Sequence, residues 1–128
     1  MKYMLLVYSD EKAASESDKQ QCREDSARFA QELHANGQYV AAAPLQPTAT
    51  ATSVRRQDGR RVVTDGPFAE TREQLGGYFV IEAADLDVAI DIAGRLPAGR
   101  WGTVEIRPII EMRSLPNVDS AAAYSIKG

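Results

Sequence analysis

Apolar residues run almost unbroken from Tyr3 to Tyr8, a short, aromatic-rich pattern that predicts a buried strand. Ser9 to Ser15 is polar and loop-like. From Glu16 to about Ala35 the period becomes helical. Cys22, Ser26, Phe29, Ala30 and Leu33 fall on one stripe, with Glu24, Arg28 and Gln31 outside it. Asn36-Gly37 ends this helix, because glycine takes the left-handed cap position at little cost. Gln38 to Ala43 predicts a second strand, stopped by Pro44 and Pro47.

Thr50 to Asp65 reads as a hairpin around Asp58-Gly59, since a type I′ turn needs positive φ at both central positions. That turn pairs Gln57 with Arg60, Arg56 with Arg61, Arg55 with Val62 and Val54 with Val63. Asp65-Gly66-Pro67-Phe68 breaks the hairpin, and Ala69 to Leu75 has room for a turn or two of helix. Gly76-Gly77 leads into a strand over Tyr78–Glu82. Asp85 is placed to cap a second helix, with Leu86, Ala89, Ile90, Ala93 and Leu96 on its inward stripe and Pro97 as its stop. Thr103 to Ile110 alternates as a last strand. Arg113 to Gly128 has little periodicity and reads as a tail, loose or laid over a neighbour.

The order strand, helix, strand, hairpin, strand, helix, strand is two βαβ-like halves, an α+β chain of the ferredoxin-like kind with an inserted β-hairpin. Two helices cover one face of such a sheet, and the other face, partly apolar, needs a cover. Pairing of two sheets face to face in a homodimer is the expected solution.

Length changes the picture little: 128 residues and 14.0 kDa make one domain. Single Cys22 excludes a disulfide framework, and one cysteine with one histidine, His34, leaves no self-contained zinc set. No apolar run reaches the ~18 residues of a membrane span. The opening apolar run is too short for a signal peptide, so a cytoplasmic location is expected. A formal charge of -3 argues against direct nucleic-acid binding. Locally, Arg55, Arg56, Arg60 and Arg61 crowd the hairpin, either as a solvated tip or as a contact for an anion or a neighbouring subunit.

Met1–Tyr8, the run Val63–Tyr78 with Asp65-Gly66-Pro67-Phe68 inside it, Ala49–Arg55 and Val104–Ile109 together resemble the YCII-related proteins, specifically their DGPF branch. The resemblance spans roughly residues 1–112, leaving 113–128 as the tail. It implies a dimeric α+β barrel. It also carries two functional ideas: an enzymatic role through a His–Asp pair in a cleft, and association of the DGPF branch with extracytoplasmic-function sigma factors. The family histidine falls at Ser26 and its acidic partner at Asn36, neither of them a titratable replacement. A mechanism built on that pair does not transfer to this chain.

Asp65 is the leading site residue: a carboxylate before a Gly-Pro turn either caps the turn or serves a ligand as an acid/base. Phe68 is core or pocket wall, and Arg72 can offset nearby carboxylates or hold an anion. Glu70, Glu73 and Glu82 are a solvated acidic face or assistants to Asp65. Ser26 lies on the inward stripe, where its hydroxyl can use the carbonyl one turn back. Cys22 reads as a small buried residue, His34 as a favourable charge at a helix C-terminus, and Trp101 as a pocket wall or a dimer anchor. The leading expectation is binding of a small polar or anionic molecule in a cleft near Asp65 and Arg72, with Phe68 and Ser26 also lining it. The alternatives are a non-catalytic interaction module acting through a sigma factor, and an enzyme using Asp65 as its base. No cofactor or metal is implied.

Overall fold

The computed structural model describes residues 1–116, so all but the first residues of the expected tail lie outside the described part. Six strands and two helices follow in the order β1 (Lys2–Ser9), α1 (Glu16–Ala35), β2 (Tyr39–Pro44), β3 (Thr52–Gln57), β4 (Arg60–Asp65), β5 (Gln74–Glu82), α2 (Leu86–Arg95) and β6 (Gly102–Pro108). Four strands form an antiparallel sheet in the order β2-β5-β1-β6, while β3 and β4 form a separate two-stranded sheet. This is the ferredoxin-like arrangement with the hairpin inserted between β2 and β5.

Local chemistry fixes the ends of the elements. Ser15 and Asp18 exchange side chain-to-backbone hydrogen bonds in a capping box at the start of α1. At its end the N–H of Gln38 donates to Leu33 O and that of Gly37 to His34 O, a Schellman closure with Gly37 at φ 72°. Asp85 accepts from Val88 N at the start of α2. Asp58 and Gly59 sit at φ 50° and 75°, and β3 and β4 pair in the register expected of that turn.

Strand alternation places Tyr3, Leu5 and Val7 of β1 and Phe79 and Ile81 of β5 on one face. Phe29 and Leu33 of α1, and Ala89 and Ile92 of α2 with Leu96 just beyond it, close over them as one core. Arg95 of α2 lies over the Phe29 ring, 5.2 Å from its centre. Met4, Leu6, Tyr78 and Val80 point to the opposite face, which no described element covers, and they are only half-buried.

Two expectations need correction. Residues 69–75 form no helix: Gln74 and Leu75 extend β5 and pair with Ser9 and Tyr8. Strand partners reward those two residues more than one isolated helical turn could. In α2, Leu86 and Ile90 are exposed, and Ala89, Ile92 and Leu96 take the core. Seven apolar positions between Leu86 and Leu96 are too many for one face of a short helix, so the sequence offers two stripes and sheet packing selects one.

Candidate functional site

Between α1 and the β2 side of the sheet the packing is incomplete. The facing residues are small: Ala27 and Ala30 on α1, Ala42 and Ala43 on β2, Gly76 and Gly77 on β5. They leave a cleft of about 710 Å³, a volume in the range of small-molecule sites. Gly77 belongs there for a second reason. A Cβ on it would stand 2.9 Å from Ala43 O, so β2 could not approach β5 as it does.

Aromatic side chains line the cleft: Tyr39 on β2, Phe79 on β5, and Trp101 after α2, while Tyr78, whose side chain points to the other face of the sheet, contributes backbone. The polar groups are few. Lys19 and Arg23 project from the first turns of α1, and Asp10, Glu11 and Glu16 lie near the same end. Glu11 is already committed: its carboxylate accepts from Thr48 N at 2.8 Å and from Thr48 Oγ1 at 2.7 Å, tying the loop after β1 to the loop after β2. Its own N–H donates to Gln74 Oε1.

Ser26 lies along the cleft, and its Oγ is buried without a hydrogen-bond partner among the described residues. The expected bond to the carbonyl one turn back is not made. One turn earlier, Cys22 Sγ donates weakly to Pro97 O at 3.5 Å. Asp25, on the neighbouring flank of α1, accepts from Gln21 at 3.0 Å and Arg100 at 3.2 Å, and pairs with Arg28. Hydrogen bonds from Gln21 and Arg100 lead in holding its carboxyl below the usual range; burial opposes them, and the charges of Arg28 and Arg100 assist to a lesser degree. Arg100 in turn stacks over Trp101, 5.4 Å from the ring centre. The cleft wall at Trp101 is therefore latched to α1 through Asp25.

The expected site residues are not gathered in one place. Ser26 lines the cleft; Asp65, Phe68 and Arg72 do not. Asp65 ends β4 with an exposed side chain that makes no hydrogen bond among the described residues, so it does not cap its turn. The turn is held by backbone and serine instead: Gly66 N donates to Ala51 O at 2.7 Å, and Ser53 Oγ to Gly66 O at 2.6 Å. Phe68 is 85% exposed, neither core nor pocket wall within one chain, and Arg72 is exposed too. Glu73 accepts from Thr103 Oγ1, whereas Glu82 pairs with the N-terminal ammonium. His34 stands edge-on to Tyr39, 6.3 Å between ring centres.

The cleft residues that sequence reading passed over are Lys19 and Arg23, and Tyr39, which reads as a core strand aromatic, is a cleft wall. A signal was present in the small residues of Ala41-Ala42-Ala43 and Gly76-Gly77, a sign of missing volume when they face an alanine-bearing helix. Among the described residues no cluster of three or more His, Cys, Asp or Glu is placed to hold a metal, and no helix is long and apolar enough to cross a membrane.

Comparison with known proteins adds three findings. The model of the YCII-related domain matches residues 1–113. An uncharacterised protein of Rhizobium meliloti (strain 1021) is 39% identical over 115 residues, covering 85% of this chain and 92% of its own. Among solved structures, the 5-chloro-2-hydroxyhydroquinone dehydrochlorinase TftG of Burkholderia phenoliruptrix AC1100, in complex with 2,5-dihydroxybenzoquinone, superimposes with a TM-score of 0.53 at 12% identity. That match covers 88% of this chain and 97% of the other. At that identity it shows a shared fold.

Proposed function

The chain belongs to the YCII-related family, and from that premise we propose that it binds a small, flat, largely apolar molecule in the cleft between α1 and the β2–β5 edge. One observation carries this reading: the Ser26 hydroxyl, buried at the cleft wall and without a partner among the described residues. An unsatisfied buried hydroxyl costs free energy, and a ligand group that bonds to it recovers that cost. Aromatic walls supply the area, Ser26 one hydrogen bond, and Lys19 with Arg23 attract any negative end of the ligand at the mouth. The structural neighbour supports this size class, since it was solved with a small hydroxylated quinone. The Asp-Gly-Pro-Phe turn is not part of the cleft lining. A homodimer through the outer sheet face belongs to the same reading, because Leu6 and Val80 need a cover.

Titration calorimetry with 2,5-dihydroxybenzoquinone and a panel of small phenols tests the assignment. Wild-type protein is expected to bind at least one of them. Ser26→Ala should weaken that binding by about 3–10-fold, the loss of one net hydrogen bond. Equal affinity in the variant, or no binding across the panel, would remove the cleft as the site.

A further inference from the structure

Among the described elements the β3–β4 hairpin is the least supported. Every residue of β4 is exposed, as is all of β3 except Ser53. Val54 and Val63, a cross-strand pair on one face, are 65% and 55% exposed, and Phe68 at the foot is 85% exposed. An isolated two-stranded hairpin is at best marginally stable in water. This one carries apolar side chains that an ordinary solvated tip would not need. It also carries four arginines against two aspartates over residues 52–65, in a chain whose net charge is -3. The body outside the hairpin is therefore more acidic than the whole. Its most acidic stretch, residues 10–25, sets six carboxylates against three cations.

We propose that the hairpin, with Phe68 at its foot, is an arm that packs on a second copy of this chain, its arginines against the acidic stretch at the start of the second copy's α1. Apolar and cationic surface together fit a protein partner better than a phosphate backbone, which would use the arginines and leave the valines and Phe68 wet. A second copy offers the complementary charge. Reciprocal docking closes at two copies, so both arms are buried and no open edge propagates. The contact joins the same two copies that pair through their outer sheet faces, and it meets the acidic residues at the cleft mouth, among them Glu16, without using the aromatic lining.

Sedimentation velocity of the full chain over a micromolar concentration series tests it. Wild-type protein should be a reversible dimer. Arg56→Glu with Arg61→Glu should raise the dissociation constant by about tenfold or more, as expected for lost interfacial charge pairs. Glu16→Lys with Glu24→Lys, both exposed positions on α1, should do the same. Combining all four should restore most of the wild-type affinity. Val54→Ser with Phe68→Ser should weaken the dimer without altering the far-UV circular dichroism, and the hairpin amides should gain exchange protection as concentration rises. A monomer at every concentration overturns the proposal. So does a dimer indifferent to both charge reversals, or hairpin protection that appears only when duplex DNA is added.

Discussion

Asp25 shows how one side chain reaches a site it does not line. Its carboxylate joins α1 to Arg100, and Arg100 lies over Trp101, the single tryptophan of the chain and a wall of the cleft. Because the folded protein lowers the Asp25 pKa, the latch is fully present above the carboxyl's unfolded value, ~3.9. It is lost only as pH falls through the lower folded value. Trp101 emission should thus hold steady from pH ~7 to ~4 and change below that range. In Asp25→Asn the emission should shift, and acrylamide quenching rise, already at neutral pH. Spectra that superimpose on wild type would detach Asp25 from Trp101. Nothing in sequence spacing links residues 25 and 100, and this part of the site was illegible beforehand for that reason. Ser26 was legible as an inward position of α1, but only packing shows that its hydroxyl is orphaned.

At the level of elements, the boundaries set by local chemistry could be read from a few residues. Asp58-Gly59 dictated its turn, Asn36-Gly37 its helix end and Asp85 its cap, each through backbone geometry that the side chain or its absence allows. Asp85→Ala should therefore lower unfolding stability by about 1 kcal/mol. The check is a shift of the urea midpoint with unchanged slope, since the cap contributes little buried surface. Where long-range pairing competes with local preference, reading failed. Residues 69–75 look helical alone, yet Gln74 and Leu75 are taken by β1. The face of α2 was ambiguous, since its apolar residues fit two stripes and only the sheet beneath selects between them.

Across the whole molecule the sheet has one covered face and one open face, and neighbouring residues on β1 belong to different sides. Leu5 is fully buried in the core, whereas Leu6 points outward and is half-buried. Leu5→Ala should cost about 2–5 kcal/mol of stability, measurable by chemical denaturation. Leu6→Lys should leave the fold intact and reduce the mass seen in light scattering, if that face pairs with a second copy. A dimer unmoved by Leu6→Lys, yet broken by the arginine reversals, would assign assembly to the arm alone. The architecture was legible because element order nearly dictates it. The cleft was not, since its walls gather small residues from three elements far apart in the chain. The strand order has one more outcome, for the growing chain on the ribosome. β1 is made first but lies between β5 and β6, so it has no strand partner until more than half the protein has been synthesised. β2 waits equally for β5. Among the described residues, the only strands joined by a tight turn are β3 and β4. The first sheet structure open to the nascent polypeptide is therefore the hairpin, and the domain proper closes late, after β6 emerges.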